Sequence, residues 1–205
     1  MSFIFIRHAD LEYPYDSYDT LSLRQLDALA TDKIQPHING KLAAAKIKHH
    51  LEHGFLNKGS IDVIYHSPSL RSRETAELLA TQLGVNEVHE LKCLQEIAFS
   101  PKKLVSEKKF QEAGMNAVRE AVYKAVAHGQ TNESSAELIA RIQELQSLIL
   151  DNNGRSILIV THGFFMRLLQ IALKNNKLTF SVSEQRQAVN CDYLQGFTHK
   201  LGEKQ

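Results

Sequence analysis

Tryptophan is absent from this chain, and cysteine, methionine and proline are scarce, at two, three and four among 205 residues. Cys93 and Cys191 have no CxxC spacing and no nearby histidine arranged as a zinc ligand set. A disulfide framework and a metal finger are therefore excluded, and the two read as lone thiols of a reducing compartment. No apolar run approaches the ~20 residues that a membrane helix needs. The stretch Phe3 to Ile6 is too short for the core of a signal peptide and meets Arg7 and Asp10 at once. A cytoplasmic location with no membrane partner is expected. Neither sign of charge dominates, since 24 Lys and Arg stand against 23 Asp and Glu. Overall charge thus gives no reason to expect a nucleic-acid partner. Internal repeats and low-complexity tracts are also missing.

What is present is ordinary for a globular protein: 43% hydrophobic and 23% charged residues. The length suits one full-sized domain over 1–205, with room for an insertion. Short β-type runs alternate with longer helical stretches, the pattern of a parallel sheet covered by helices. The runs are FIFIR at 3–7, IDVIYHS at 61–67, a weaker EVHELKCL at 87–94, and SILIVTH at 156–162. Two of them are nearly all aliphatic or aromatic, as central strands buried on both faces must be. An α/β fold follows, expected as a three-layer α/β/α sandwich with a mostly parallel central sheet.

Helix signals fall between these runs. Asn39 is a suitable N-cap for INGKLAAAKIKHHL, with Leu42, Ala45 and Leu51 at roughly helical spacing. SLRSRETAELLATQLG reads as a helix stopped by a left-handed Gly84. NESSAELIARIQELQSLIL opens with a capping side chain and keeps one apolar face through Ile149. FFMRLLQIALKNN after Gly163 is another helix, and the tail AVNCDYLQGFTHKL is expected to pair as two edge strands. Residues about 98–131, rich in lysine and helix formers, form the expected helical insertion or cap.

Three strand-like runs end in reactive side chains: Arg7 and His8, then Ser67 with Arg71 nearby, then His162. In open α/β sheets ligands bind outside the carboxyl ends of the strands, so these distant residues are expected to converge. Two guanidinium forks match phosphate oxygens, histidines add a nucleophile or further donors, and a helix starting after Gly163 would aim its free amides at the same point. A phosphate-type anion pocket is expected. Taken singly, each residue fits a surface role better; taken jointly, the functional reading prevails.

At these residues the chain resembles the histidine phosphatase superfamily, also called the phosphoglycerate mutase-like family. FIFIRHAD is similar to its Arg-His-Gly start, with Ala9 in place of the glycine. SPSLRSRETA matches the block that carries the second arginine, at Arg71. LQEIAF resembles the block that nominates Glu96, and ILIVTHG the one that ends in His162 and Gly163. Leu11 and Pro14 stand where mutase-type members carry a threonine and an asparagine, which removes polar phosphate contacts on that side.

The resemblance implies a metal-independent phosphatase, without cofactor, acting on a small phosphomonoester. His8 would form a phosphohistidine, Arg7, Arg71, His162 and Gly163 would hold the phosphate, and Glu96 would be the general acid. Asp10 and Glu12 are rival acids. Phosphotransfer of the mutase type, a weakly catalytic phospho-ligand module and a phosphohistidine-protein phosphatase are the alternatives. Tyr13, Tyr15, Tyr18 and Phe99 are candidate aromatic walls, while Lys102, Lys103, Lys108 and Lys109 are expected to form a solvated face.

Overall fold

The computed structural model describes residues 2–152, 154–175 and 177–200. Five strands are present among them: β1 (Ser2–Arg7), β2 (Val63–His66), β3 (Val88–Glu90), β4 (Ile157–Thr161) and β5 (Gly196–Lys200). They form one sheet in the order β3-β2-β4-β1-β5, parallel except for β5, which runs antiparallel to β1. The helices are α1 (Leu23–Ala30), α2 (Gly40–Glu52), α3 (Leu70–Leu83), α4 (Pro101–Leu104), α5 (Glu107–Ala127), α6 (Ser135–Asp151), α7 (Gly163–Asn175) and α8 (Val182–Gln187).

The continuous apolar character of β1 and β4 has a direct cause. Phe3 and Phe5, with Ile157 and Ile159, face a core shared with α5, α6 and α7. Their neighbours Ile4 and Ile6, with Leu158 and Val160, face a second core built with α2 and α3. Side chains alternate along a strand, so burial on both faces demands an unbroken apolar run. The three layers expected from the sequence are present.

Local signals account for most helix ends. Asn39 caps α2 by accepting the Leu42 amide, Ser134 and Glu137 form a capping box on α6, and α3 stops at Gly84, whose φ of 75° suits a residue without a Cβ. Gly196 serves a close approach: a Cβ there would stand 1.8 Å from the Phe5 carbonyl oxygen. The helical segment after Phe99 joins the main body, because Val118, Val122 and Val126 of α5 are buried in the same core as Leu138 and Ile142.

Four details differ from the sequence reading. Helix α2 buries Ala43 and Ile47, while Leu42 is 45% exposed and Ala45 is exposed too. The tail supplies one edge strand, β5, since residues 188–195 run as a loop across the end of the sheet. Helices α1 and α8 were not foreseen, although α1 carries a capping box of Ser22 and Gln25. Finally, α5 is broken at Gly114, whose φ of 52° and ψ of −136° interrupt the helix. Of the stretches read from sequence, Asn176 and Leu201 lie outside the described residues.

Candidate active site

Strand register sets the site. Arg7 pairs with Thr161 and His66 with Val160, so β1, β2 and β4 end at one level. One further ladder bond from each neighbour, His8 N–H to the Thr161 carbonyl at 2.9 Å and Ser67 N–H to Val160 at 3.1 Å, carries the alignment past the strands. His8, Ser67 and His162 therefore emerge side by side. A cleft of about 460 Å³ opens there, lined by Arg7, His8, Arg71, Glu96, His162 and Gly163 among others. The structure thus brings together all six residues nominated from the sequence.

The His8 ring is held firmly. Its Nδ1 donates to the Ala9 carbonyl at 2.9 Å, which leaves Nε2 as the nitrogen with the lone pair. Burial, then Arg71 and Arg7, hold its pKa well below the ordinary 6.5, so the ring is neutral at physiological pH. The His162 ring lies 5.3 Å from it, edge to face, and burial, with Arg71, His8 and Arg7 nearby, pushes His162 down in the same way. The Ala9 amide donates to Thr75 Oγ1 at 2.9 Å, and that hydroxyl donates to the Arg71 carbonyl at 2.6 Å. Thr75 so ties the loop after His8 to the helix that carries Arg71, the physical content of the RETA stretch.

Arg71 is 8% exposed and its Nη1 lies 3.4 Å from Asp32 Oδ1. Arg7 donates through Nη1 to the Cys191 carbonyl at 3.2 Å, and its guanidinium lies 4.2 Å from the centre of the Tyr193 ring. A Cβ at Gly163 would stand 3.5 Å from Arg7 Nε, ordinary contact, so Gly163 packs closely beside that arginine.

Glu96 is held by amides. Its Oε1 accepts from Ile97 at 3.0 Å and Phe165 at 2.8 Å, and its Oε2 from Phe164 at 3.2 Å. Burial raises its pKa, and the three amides and Arg71 offset that only in part. The first turn of α7 therefore gives two amides to this carboxylate, where the sequence reading aimed them at the phosphate. The rival acids are placed differently: Asp10 lines the cleft but is bound by Lys46 Nζ at 2.7 Å, and Glu12 is exposed away from the cleft lining.

Of the aromatic candidates, Tyr18 and Phe99 line the cleft, whereas Tyr13 is 86% exposed and Tyr15 packs with Leu11, Leu21 and Leu29. The four lysines are exposed and off the cleft. Sequence reasoning missed Tyr193 and Arg167. Arg167 is clamped by the carbonyls of Gln185 and Ala188 and by Asn190, and Tyr193 sits in a loop without periodicity to mark it. No group of three or more His, Cys, Asp or Glu side chains able to hold a metal ion occurs among the described residues.

The family model described as histidine phosphatase superfamily (branch 1) matches residues 3–191. The chain belongs to that superfamily. No curated protein matches it in sequence. Among solved structures it is similar to phosphoserine phosphatase of Entamoeba histolytica bound to phosphoserine, 18% identical with a TM-score of 0.63 over 99% of this chain and 92% of the other. The alpha-ribazole phosphatase of Shigella flexneri gives 18% identity and a TM-score of 0.65, covering 100% and 92%. Mycobacterial glucosyl-3-phosphoglycerate phosphatase gives 16% and 0.62, covering 96% and 88%. At such identities the likeness establishes the shared fold.

Proposed function

We propose that this protein hydrolyses a small phosphomonoester through a phosphohistidine on His8. The observation that carries the reading is the His8 ring itself: Nδ1 is spent on the Ala9 carbonyl, and the ring is kept neutral within a cleft that also holds Arg7, Arg71 and His162. Nε2 attacks phosphorus in line; the P–N bond forms as the ester P–O bond breaks, and Glu96 gives its proton to the departing oxygen. Glu96, now a carboxylate, takes a proton from water as that oxygen bonds to phosphorus and the P–N bond breaks. Arg7, Arg71 and His162 face the charge that spreads over the non-bridging oxygens, the main source of acceleration in phosphoryl transfer.

Glu96 suits the acid role because burial raises its pKa, whereas Asp10 is spent on Lys46. The solved relatives named for phosphoserine and for glucosyl-3-phosphoglycerate support a small-molecule substrate. We read residues 1–205 as one domain, since Met115, Val118 and Arg119 of α5 line the same cleft. Two buried free thiols, and no described helix long and apolar enough to cross a membrane, support a cytoplasmic setting.

The test is phosphate release from p-nitrophenyl phosphate with a chelator present, in the wild type and in His8→Ala. Turnover that survives the chelator and disappears in the variant is expected, with an acid-labile phosphohistidine trapped on rapid quenching. Full turnover by His8→Ala sinks the mechanism. Label delivered to an added alcohol instead of water assigns the chain to phosphotransfer.

A further inference from the structure

His162 Nε2 meets three serine hydroxyls. Ser67 Oγ lies 2.8 Å away, and Ser69 Oγ and Ser72 Oγ each lie 3.5 Å away. All four residues are buried. Ser67 follows β2, while Ser69 is the N-cap of α3 and Ser72 sits in its first turn. Thus two separate elements deliver hydroxyls to one ring nitrogen.

Two hydroxyl protons of this cluster, those of Ser69 and Ser67, can be placed by elimination. Ser69 Oγ donates to Ser72 Oγ at 3.0 Å and accepts the Ser72 amide at 3.3 Å. Ser67 Oγ accepts the Ser69 amide at 3.4 Å, and among the described residues its own proton has no acceptor other than His162 Nε2. A buried hydroxyl proton without an acceptor is unfavourable. Had Nε2 carried the hydrogen, it would point into three oxygens and strand the Ser67 proton. Nε2 is therefore the acceptor. Burial and the neighbouring arginines keep the ring neutral, so its single hydrogen is on Nδ1.

We infer that Ser67 is a positioning residue that fixes the Nδ1–H tautomer of His162, so that Nδ1, which has no hydrogen-bond partner among the described residues, is the donor offered to a phosphate oxygen. The destination of that donor rests on the phosphatase reading; the tautomer does not. A neutral imidazole contributes only if its one hydrogen is on the correct side, and a partner on its far nitrogen decides that.

The experiment is nitrogen-15 NMR of protein labelled at histidine, with His162 resonances assigned by their loss in His162→Gln. The wild type is expected to show a protonated Nδ1 and a bare Nε2. In Ser67→Ala the Nε2–H form should appear, and kcat should fall about 10- to 100-fold with KM little changed. Ser67→Thr, which keeps the hydroxyl, should retain the tautomer and most of the rate. A proton on Nε2 in the wild type overturns the inference, and that measurement needs no variant to fold. Ser67→Ala with unchanged tautomer and rate overturns the role of Ser67. A wild type with the Nδ1–H form that releases phosphate from no ester would sink the phosphatase reading and leave the tautomer assignment standing.

Discussion

The Glu96 carboxylate accepts the backbone amide of Phe165 at 2.8 Å, so the candidate acid is tethered to the helix that follows His162. Glu96 lies just past a 3₁₀ turn at Lys92–Leu94, and Arg141 of α6 braces that segment by donating to the Cys93 carbonyl at 3.3 Å and to the Gln95 carbonyl. The helix start that follows His162 thus also holds the acid.

That tether leads to a comparison of acids. Glu96→Gln is expected to lower kcat for an alkyl phosphate by roughly 10²- to 10⁴-fold, the usual weight of a general acid. The loss should be smaller for p-nitrophenyl phosphate, whose leaving oxygen needs no proton. Asp10→Asn should change either rate much less. Steady-state kinetics of the two variants on both substrates decide the assignment, and equal losses would return Asp10 to candidacy.

The two histidines predict a pH dependence of stability. His8 and His162 titrate well below 6.5 in the fold and near 6.5 in the unfolded chain. Between those values the unfolded chain binds more protons, so their contribution is full above about pH 6.5 and is lost as pH falls toward the folded values. Glu96 has the opposite sign: its folded pKa lies above 4.5, so its contribution is lost as pH rises through that raised value. Melting midpoints taken from about pH 8 to about pH 5 should fall on the acid side, and fall less steeply in His8→Ala. A flat wild-type profile would contradict the buried neutral state.

Tyr193 lies under Arg7 and 5.5 Å from the His8 ring. Tyr193→Phe keeps that surface and should keep kcat/KM within about twofold. Tyr193→Ala removes this half-buried ring and should cost about 1–3 kcal/mol of stability, together with a clear loss of activity. Denaturant unfolding and steady-state rates read the two effects separately.

The buried face of α2 is open to a simple check. Ile47→Ala should destabilise by about 2–5 kcal/mol, because Ile47 is fully buried, whereas Leu42→Ala should stay within about 0.5 kcal/mol. Equal effects in urea unfolding would mean that the helix presents a different face.

Helix α2 also shows where sequence reading loses resolution. In KLAAAKIK the small alanines make adjacent faces nearly equal in hydrophobicity, so spacing alone does not separate the Leu42 face from the Ala43 and Ile47 face. By contrast, α3 declares itself at both ends, with Ser69 accepting the Ser72 amide and Gly84 in the left-handed conformation. The tail lost its first expected strand because the backbone there is used otherwise: the Leu194 amide donates to the Arg7 carbonyl at 3.1 Å, and Leu194 turns the chain with a φ of 60°.

Local chemistry by itself determined the strands, most helix ends, and the placing of Arg7, His8, Arg71 and His162 where apolar runs stop. A short apolar run bounded by turn residues fits a strand buried on both faces, and polar groups at its end must find solvent, a ligand or a hydrogen-bond partner. Only the tertiary structure decided that Glu96 receives the α7 amides while Asp10 goes to Lys46, that Tyr193 lies on Arg7, and that three serines surround His162 Nε2. Each of these contacts joins segments far apart in the chain. They depend on strand register and on the path of the tail, which periodicity and spacing do not encode.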